Sequence, residues 1–192
     1  MTSARRRYGS LTLFLAAILL PTAAPLQAEQ VGAAADASAC LSCHGQAGSE
    51  LAPLLEGQHA GYLKVQMARF RDHIRQSFPM DALTQGLDDA AIEQISAQLA
   101  ARPWPERVPA RRSEGADGDP ASAANLSACV GCHGEQLLGA DKVPRLAGQR
   151  RNYVLQQLEA IASQRRQHPD LGSSAALSRR EMSELAAAIE AR

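Results

Sequence analysis

Two copies of one five-residue pattern constrain this chain more than anything else in it: Cys40-Leu41-Ser42-Cys43-His44 and Cys129-Val130-Gly131-Cys132-His133. Together they use all four cysteines. C-x-x-C-H is the attachment signature of c-type haem, and its spacing has a mechanical reason. On one helical turn, residues i, i+3 and i+4 share a face, so two thiols can bond the porphyrin vinyl groups while an imidazole lies under the iron. The competing readings are two disulfides of a thiol oxidoreductase, or a zinc site of four cysteines with histidine. Neither needs a histidine directly after each pair, nor two copies.

The halves of the chain match beyond these motifs. Pro53-Leu54-Leu55-Glu56-Gly57-Gln58 recurs as Pro144-Arg145-Leu146-Ala147-Gly148-Gln149, and Tyr62 and Gln66 match Tyr153 and Gln157 at the same offset of 91. Leu63, Met67 and Phe70 then lie above Val154, Leu158 and Ile161, an apolar i, i+4, i+7 stripe in both copies. The chain is therefore a tandem duplication. With 4% aromatic residues, each half of about 80 residues would be marginal without a staple or prosthetic group. Covalent haem attachment supplies one.

Each copy shows the same order of elements: a short helix running into C-x-x-C-H, a Gly-rich loop, a helix from near Tyr62 or Tyr153, a second loop, and a last helix. Asp88 is placed to cap the last helix of the first copy, which carries Ile92, Ile95 and Leu99 and ends before Pro103. Ser178 with Glu181 makes a capping box for its counterpart, which carries Met182, Leu185 and Ile189. Residues 104–120 are rich in Pro, Gly and charge and read as a linker. Ahead of the repeats, Arg5, Arg6 and Arg7 precede an apolar run from Leu11 to Leu20, then Pro21 and small residues to Ala28. This is an export signal, cleaved after Ala28 or kept as an anchor. The expected division is signal 1–28, first domain 29–103, linker 104–120 and second domain 121–192.

The paired C-x-x-C-H-G segments (Cys40 to Gly45, Cys129 to Gly134), the P-x-L-x-G-Q segments followed by Tyr, and the helix openings Leu87-Asp88-Asp89 and Leu177-Ser178 resemble the two-haem class I cytochromes c, specifically the cytochrome c4 family. The resemblance covers essentially the whole chain after the signal. It implies an all-α fold of two small class I cytochrome c domains related by a pseudo-twofold axis, with haem propionate edges facing one another. It further implies two covalently bound haem c groups, with Cys40, Cys43, Cys129 and Cys132 as thioether bonds and His44 and His133 as proximal iron ligands. The carbonyls of Pro53 and Pro144 are expected to receive the N–H of each proximal histidine. The implied activity is electron transfer in the periplasm, with no bond chemistry of its own, between redox protein partners such as a quinol-linked donor complex and a terminal oxidase.

The sixth iron ligand divides the repeats. A carrier of the His/Met type needs a thioether sulfur on the far side of the haem. Met80, seven residues before Leu87, stands where the family carries its methionine, whereas Met67 belongs to a helical apolar stripe and reads as core. In the second repeat the corresponding positions are Asp170 or Leu171, the segment 167–174 contains no sulfur, and Met182 reads as core. Three readings stay open for that iron: ligation by His168, a five-coordinate site, or a distant group or water. An open site would bring ligand binding, sensing or peroxidase-like chemistry, although no distal acid–base pair is evident beyond His168.

Twenty basic against twenty acidic residues leave no excess of positive charge that would point to nucleic acid. Removing residues 1–28 takes away three Arg and no acid, so the remaining balance is 17 − 20 = −3. Any membrane contact is expected only through partners or an uncleaved signal. Of the remaining residues, His59 is expected to be exposed at the start of a helix and His73 to lie on the polar side of the same helix, neither touching iron, Arg145 to lie at the surface or pair with a propionate, and Trp104 to pack between the repeats.

Overall fold

A computed structural model of the chain describes residues 35–106, 120–169 and 177–192. The expected signal, most of the expected linker, and Asp170 and Leu171 lie outside the described residues. Those described belong to one compact unit spanning Gly32–Arg192, and among them every regular element is helical. The first repeat contains a 3-10 turn at Ala37–Cys40 running into α1 (Leu41–His44), then α2 (Ala60–Arg71), α3 (Met80–Leu83) and α4 (Asp89–Ala100). The second contains α5 (Pro120–His133), α6 (Arg151–Ala162) and α7 (Arg179–Glu190). One isolated bridge joins Ala140 and Val143.

The last helix of each repeat begins where the sequence supplies a partner for its free N–H groups. The Asp88 carboxylate accepts from the Ala91 N–H at 2.7 Å. Ser178 and Glu181 form the full reciprocal box at the head of α7. In each repeat the middle helix packs on the last, α2 on α4 and α6 on α7. Leu63, Ile95 and Leu99 close around Ala37 in the first repeat. Val154, Leu185, Ala186 and Ile189 close around Leu126, Leu137 and Ala147 in the second. Both cores are small, and several large apolar side chains stand outside them, Phe78 at 88% exposure being the extreme.

What joins the repeats is polar and reciprocal. The Gln149 amide accepts from the Leu54 N–H at 2.8 Å and donates to the Leu54 carbonyl at 3.0 Å. Its counterpart Gln58 accepts from the Arg145 N–H at 2.8 Å and donates to the Arg145 carbonyl at 2.9 Å. Position 54 corresponds to 145 and 58 to 149, so each repeat gives the other the same contact, as a twofold axis requires. The glycine before each glutamine has a left-handed backbone, φ 68° at Gly57 and 73° at Gly148. Its N–H reaches the end of the last helix of its own repeat, Gly57 to the Leu99 carbonyl and Gly148 to that of Ile189.

Trp104 seals this seam. A side chain at Gly57 would come within 2.7 Å of the Trp104 backbone nitrogen, and one at Gly148 within 2.9 Å of its indole Nε1. Arg145 lies over the indole, 4.5 Å from its centroid, so this residue covers an aromatic face and is not a free surface charge.

Replacing Gln149 by Ala would strand a buried N–H and a buried carbonyl, a cost of about 2–4 kcal/mol. Chemical denaturation should show the midpoint falling without a change in the number of covalent haems. In the Gln58→Ala, Gln149→Ala double variant the two repeats should unfold in separate transitions.

Candidate haem-binding sites

In the first repeat Cys40 ends the 3-10 turn and Cys43 lies one turn on in α1, while in the second both cysteines lie in the last turns of α5. None of the four forms a disulfide. Cys43 and Cys132 are exposed, and Cys40 and Cys129 are half-buried, with burial pushing the thiols of that second pair upward in pKa. Among the described residues no three His, Cys, Asp or Glu side chains converge in the manner a zinc site needs.

Each motif histidine is buried, His44 at 7% exposure and His133 at 6%. The Nδ1 of His44 lies 2.8 Å from the Pro53 carbonyl oxygen, and that of His133 lies 2.9 Å from the Pro144 carbonyl oxygen. A carbonyl can only accept, so Nδ1 carries the proton in both rings and the basic lone pair belongs to Nε2. Burial lowers the pKa of both, against the opposing hydrogen bond to proline, and nearby cations lower it further: Arg150 for His44, and Arg166 for His133 beside the His168 ring. The neutral, Nε2-basic imidazole is the metal-binding form. This donor chemistry, with paired thiols on the same turn, fits a covalently held iron porphyrin in each repeat.

Met80 opens α3 and is partly buried, with its carbonyl accepting from Thr84 Oγ1 at 2.8 Å. Exposed Phe78 and Leu83 bracket it in the chain. Met67 packs against the first core and Met182 is buried in the second. In the second repeat the His168 ring lies with its centroid 6.2 Å from that of His133, the planes 23° apart.

Two sets of residues were not singled out as a site from the sequence. Arg150, with 0% exposure, reaches from the second repeat into the loop after the first motif. Its guanidinium donates to the carbonyls of Gly45 at 2.6 Å, Ser49 at 2.7 Å and Ala52 at 2.8 Å, with longer bonds to Gln46 and Cys43. Position 59 corresponds to 150, and there His59 lies half-buried with Nε2 2.8 Å from the Leu138 carbonyl oxygen. The expectation that His59 is exposed is therefore corrected: it reaches the loop after the other motif. His73 does not lie on the polar side of α2 as expected: α2 ends at Arg71, and His73 stands exposed beyond it with φ 56° and bonds Gln85.

The second set is a crossed pair at the seam. Arg166 donates to the Tyr62 hydroxyl at 2.9 Å and to Gln157 at 2.7 Å. Arg75 donates to Tyr153 at 3.4 Å, to Gln157 at 2.8 Å and to Gln66 at 2.7 Å. Burial raises the pKa of both phenols, but for Tyr153 the Arg166 and Arg75 charges outweigh it, bringing that hydroxyl to about 8 while Tyr62 stays raised. The offset of 91 that relates Tyr62 to Tyr153 also relates Arg75 to Arg166, a signal the sequence carried.

No family model matches the chain. It is 33% identical over 174 residues to a cytochrome c-552 of Acidithiobacillus ferridurans, covering 80% of this chain and 75% of that protein. It is 33% identical to a cytochrome c4 of Thiocapsa roseopersicina, covering 68% of this chain and 72% of the other. A thiosulfate dehydrogenase electron acceptor of Stutzerimonas stutzeri (strain A1501) is 36% identical, with 68% and 66% covered. Among solved structures, the cytochrome c4 of Acidithiobacillus ferrooxidans superposes with a TM-score of 0.70 at 28% identity, over 80% of this chain and 98% of that one.

Substituting Arg150 by Met should destabilise the first repeat by about 3 kcal/mol, because five carbonyls, one buried and four part-buried, lose a charged donor together. His59→Ala removes one bond and should cost only about 1 kcal/mol. Paired thermal melts of the two variants measure the difference.

Proposed function

We propose, from the premise that this chain belongs to the cytochrome c4 family of dihaem electron-transfer proteins, that it is a periplasmic one-electron carrier between redox protein partners. It carries two covalently bound haem c groups, which supply a one-electron iron couple. The observation that carries the reading is the repeated arrangement of buried imidazole and proline carbonyl, 2.8 Å in one repeat and 2.9 Å in the other.

In this reading Cys40, Cys43, Cys129 and Cys132 anchor the groups through thioether bonds. His44 and His133 hold the irons through Nε2, oriented by Pro53 and Pro144. Met80 closes the first iron with a soft sulfur, which favours the reduced state and excludes small molecules. Arg75 and Arg166 hold positive charge at the seam, which would favour haem carboxylates brought near it. Arg150 and His59 fix the loops behind the attachment turns, so little rearrangement accompanies a change of iron charge.

Residues 1–28 direct export, and domains 29–103 and 121–192 each hold one group. Among the described residues no helix is long and apolar enough to cross a membrane. A relative named as the electron acceptor of thiosulfate dehydrogenase supports a dehydrogenase of that kind as donor, beside a quinol-linked complex, with a terminal oxidase as acceptor. The balance of −3 after residue 28, from 17 basic and 20 acidic residues, together with haem carboxylates, favours a partner presenting Lys or Arg.

Protein matured in a host with haem-attachment machinery should contain two covalent haems per chain and take up two electrons. Met80→Ala should abolish the far-red methionine-to-iron band, lower the midpoint of the first haem and let carbon monoxide bind about half of the haem. Transfer from a basic partner should slow as ionic strength rises. A haem count below two, or electron uptake by neither group, would sink the reading.

A further inference from the structure

We infer that His168 is the second axial ligand of the iron in the second repeat, giving a site held by two imidazoles beside one held by imidazole and thioether. The inference rests on the dihaem reading above. It begins from the 6.2 Å between the ring centroids of His133 and His168. Imidazole nitrogen binds a first-row metal at about 2.0–2.1 Å. A five-membered ring with bonds of about 1.35 Å places its centroid about 1.15 Å from each atom. Two imidazoles on opposite sides of one ion therefore stand about 6.3 Å apart, centroid to centroid, by the same bond lengths. The observed spacing agrees with this.

The hydrogen bonds select the same nitrogen in both rings. His168 Nδ1 lies 2.6 Å from the Pro169 carbonyl oxygen, so it carries the proton and Nε2 is the basic atom. That is the arrangement of His44 with Pro53 and His133 with Pro144. A proline carbonyl thus orients all three histidines.

Position and supply point the same way. Of the four methionines, Met1 heads the chain, Met67 packs on the first core, Met80 belongs to the first repeat and Met182 is buried at 6% exposure. The second repeat has no other sulfur outside its C-x-x-C-H motif. His168 lies two or three residues before the counterparts of Met80, and the segment leading to it is pinned by Arg166 through Tyr62 and Gln157. The ring is thus delivered by a fixed stem.

Exchange of thioether for imidazole withdraws the feature that raises the potential of a histidine–methionine haem. The second haem is then the lower in potential, and an electron on the oxidised protein comes to rest in the first repeat. Entry through the second repeat and exit through the first is the downhill order.

The test uses intact holoprotein with His168→Ala and His168→Met, read by electron paramagnetic resonance, carbon monoxide binding and redox titration. The unsubstituted protein should be wholly low-spin and inert to carbon monoxide, with one methionine band per two haems. His168→Ala should turn half of the haem high-spin and open to carbon monoxide, and added imidazole should restore the low-spin state. His168→Met should add a second methionine band and raise the lower midpoint toward the upper one. Unsubstituted protein already half high-spin, or low-spin g values unchanged in both variants, would overturn the assignment while leaving two covalent haems and the carrier reading intact. Fewer than two covalent haems overturns the dihaem reading and this assignment with it.

Discussion

The bond from each motif histidine to a proline carbonyl does more than orient one ring, because that proline opens the segment on which the two repeats meet. Pro53 is followed by Leu54, whose N–H and carbonyl are both held by Gln149 of the second repeat. Pro144 is followed by Arg145, held in the same way by Gln58 of the first. The carbonyl that accepts from each motif histidine therefore belongs to a peptide whose own N–H is clamped from the other side of the axis. Only one covalent bond separates the carbonyl that accepts from Nδ1 from the nitrogen held at the seam. Either repeat alone would have a freer proline carbonyl and a less sharply oriented imidazole.

The same segment carries the remaining constraints. Gly57 and Gly148 adopt left-handed conformations that let the chain turn against Trp104 and against the end of the last helix. The next two positions supply the glutamine and then the cross-repeat donor, His59 or Arg150. Duplication preserved the architecture of these contacts but not their strength. His59 meets one carbonyl, whereas Arg150 meets five and is fully buried. The loop behind the first attachment turn is thus held more tightly by the second repeat than the reverse.

The attachment motifs, the repeat and the helix order were legible because each rests on local chemistry: thiol spacing on one turn, apolar periodicity, and caps such as Asp88 and Ser178 with Glu181. Which family the chain belongs to followed from the same short segments. Less legible was what those segments bond across the axis. Nothing local distinguishes the Gln58 amide as a partner for Arg145, 87 residues away, and His59 was expected to face solvent because a polar residue at a helix start usually does. Arg75 and Arg166 could have been paired from their offset alone. Arginine at the end of an amphipathic helix is so common that the repetition carries little weight until both are seen meeting the opposite tyrosine.

Near-equality of the proximal sides locates where two haems in one chain can be made different. The histidines are buried alike, at 7% and 6% exposure, and their proline bonds are 2.8 and 2.9 Å. Their pKa values move in the same direction for the same first reason, burial. The hydrogen bonding of the two histidines is therefore matched, while the charges nearby differ, Arg150 beside His44 against Arg166 and the His168 ring beside His133. Where a sixth ligand is expected the repeats diverge in sequence, methionine at position 80 against a sulfur-free segment bearing His168. A difference in ligation would enter there, where a single side chain can differ without disturbing the bonds that hold the two repeats together.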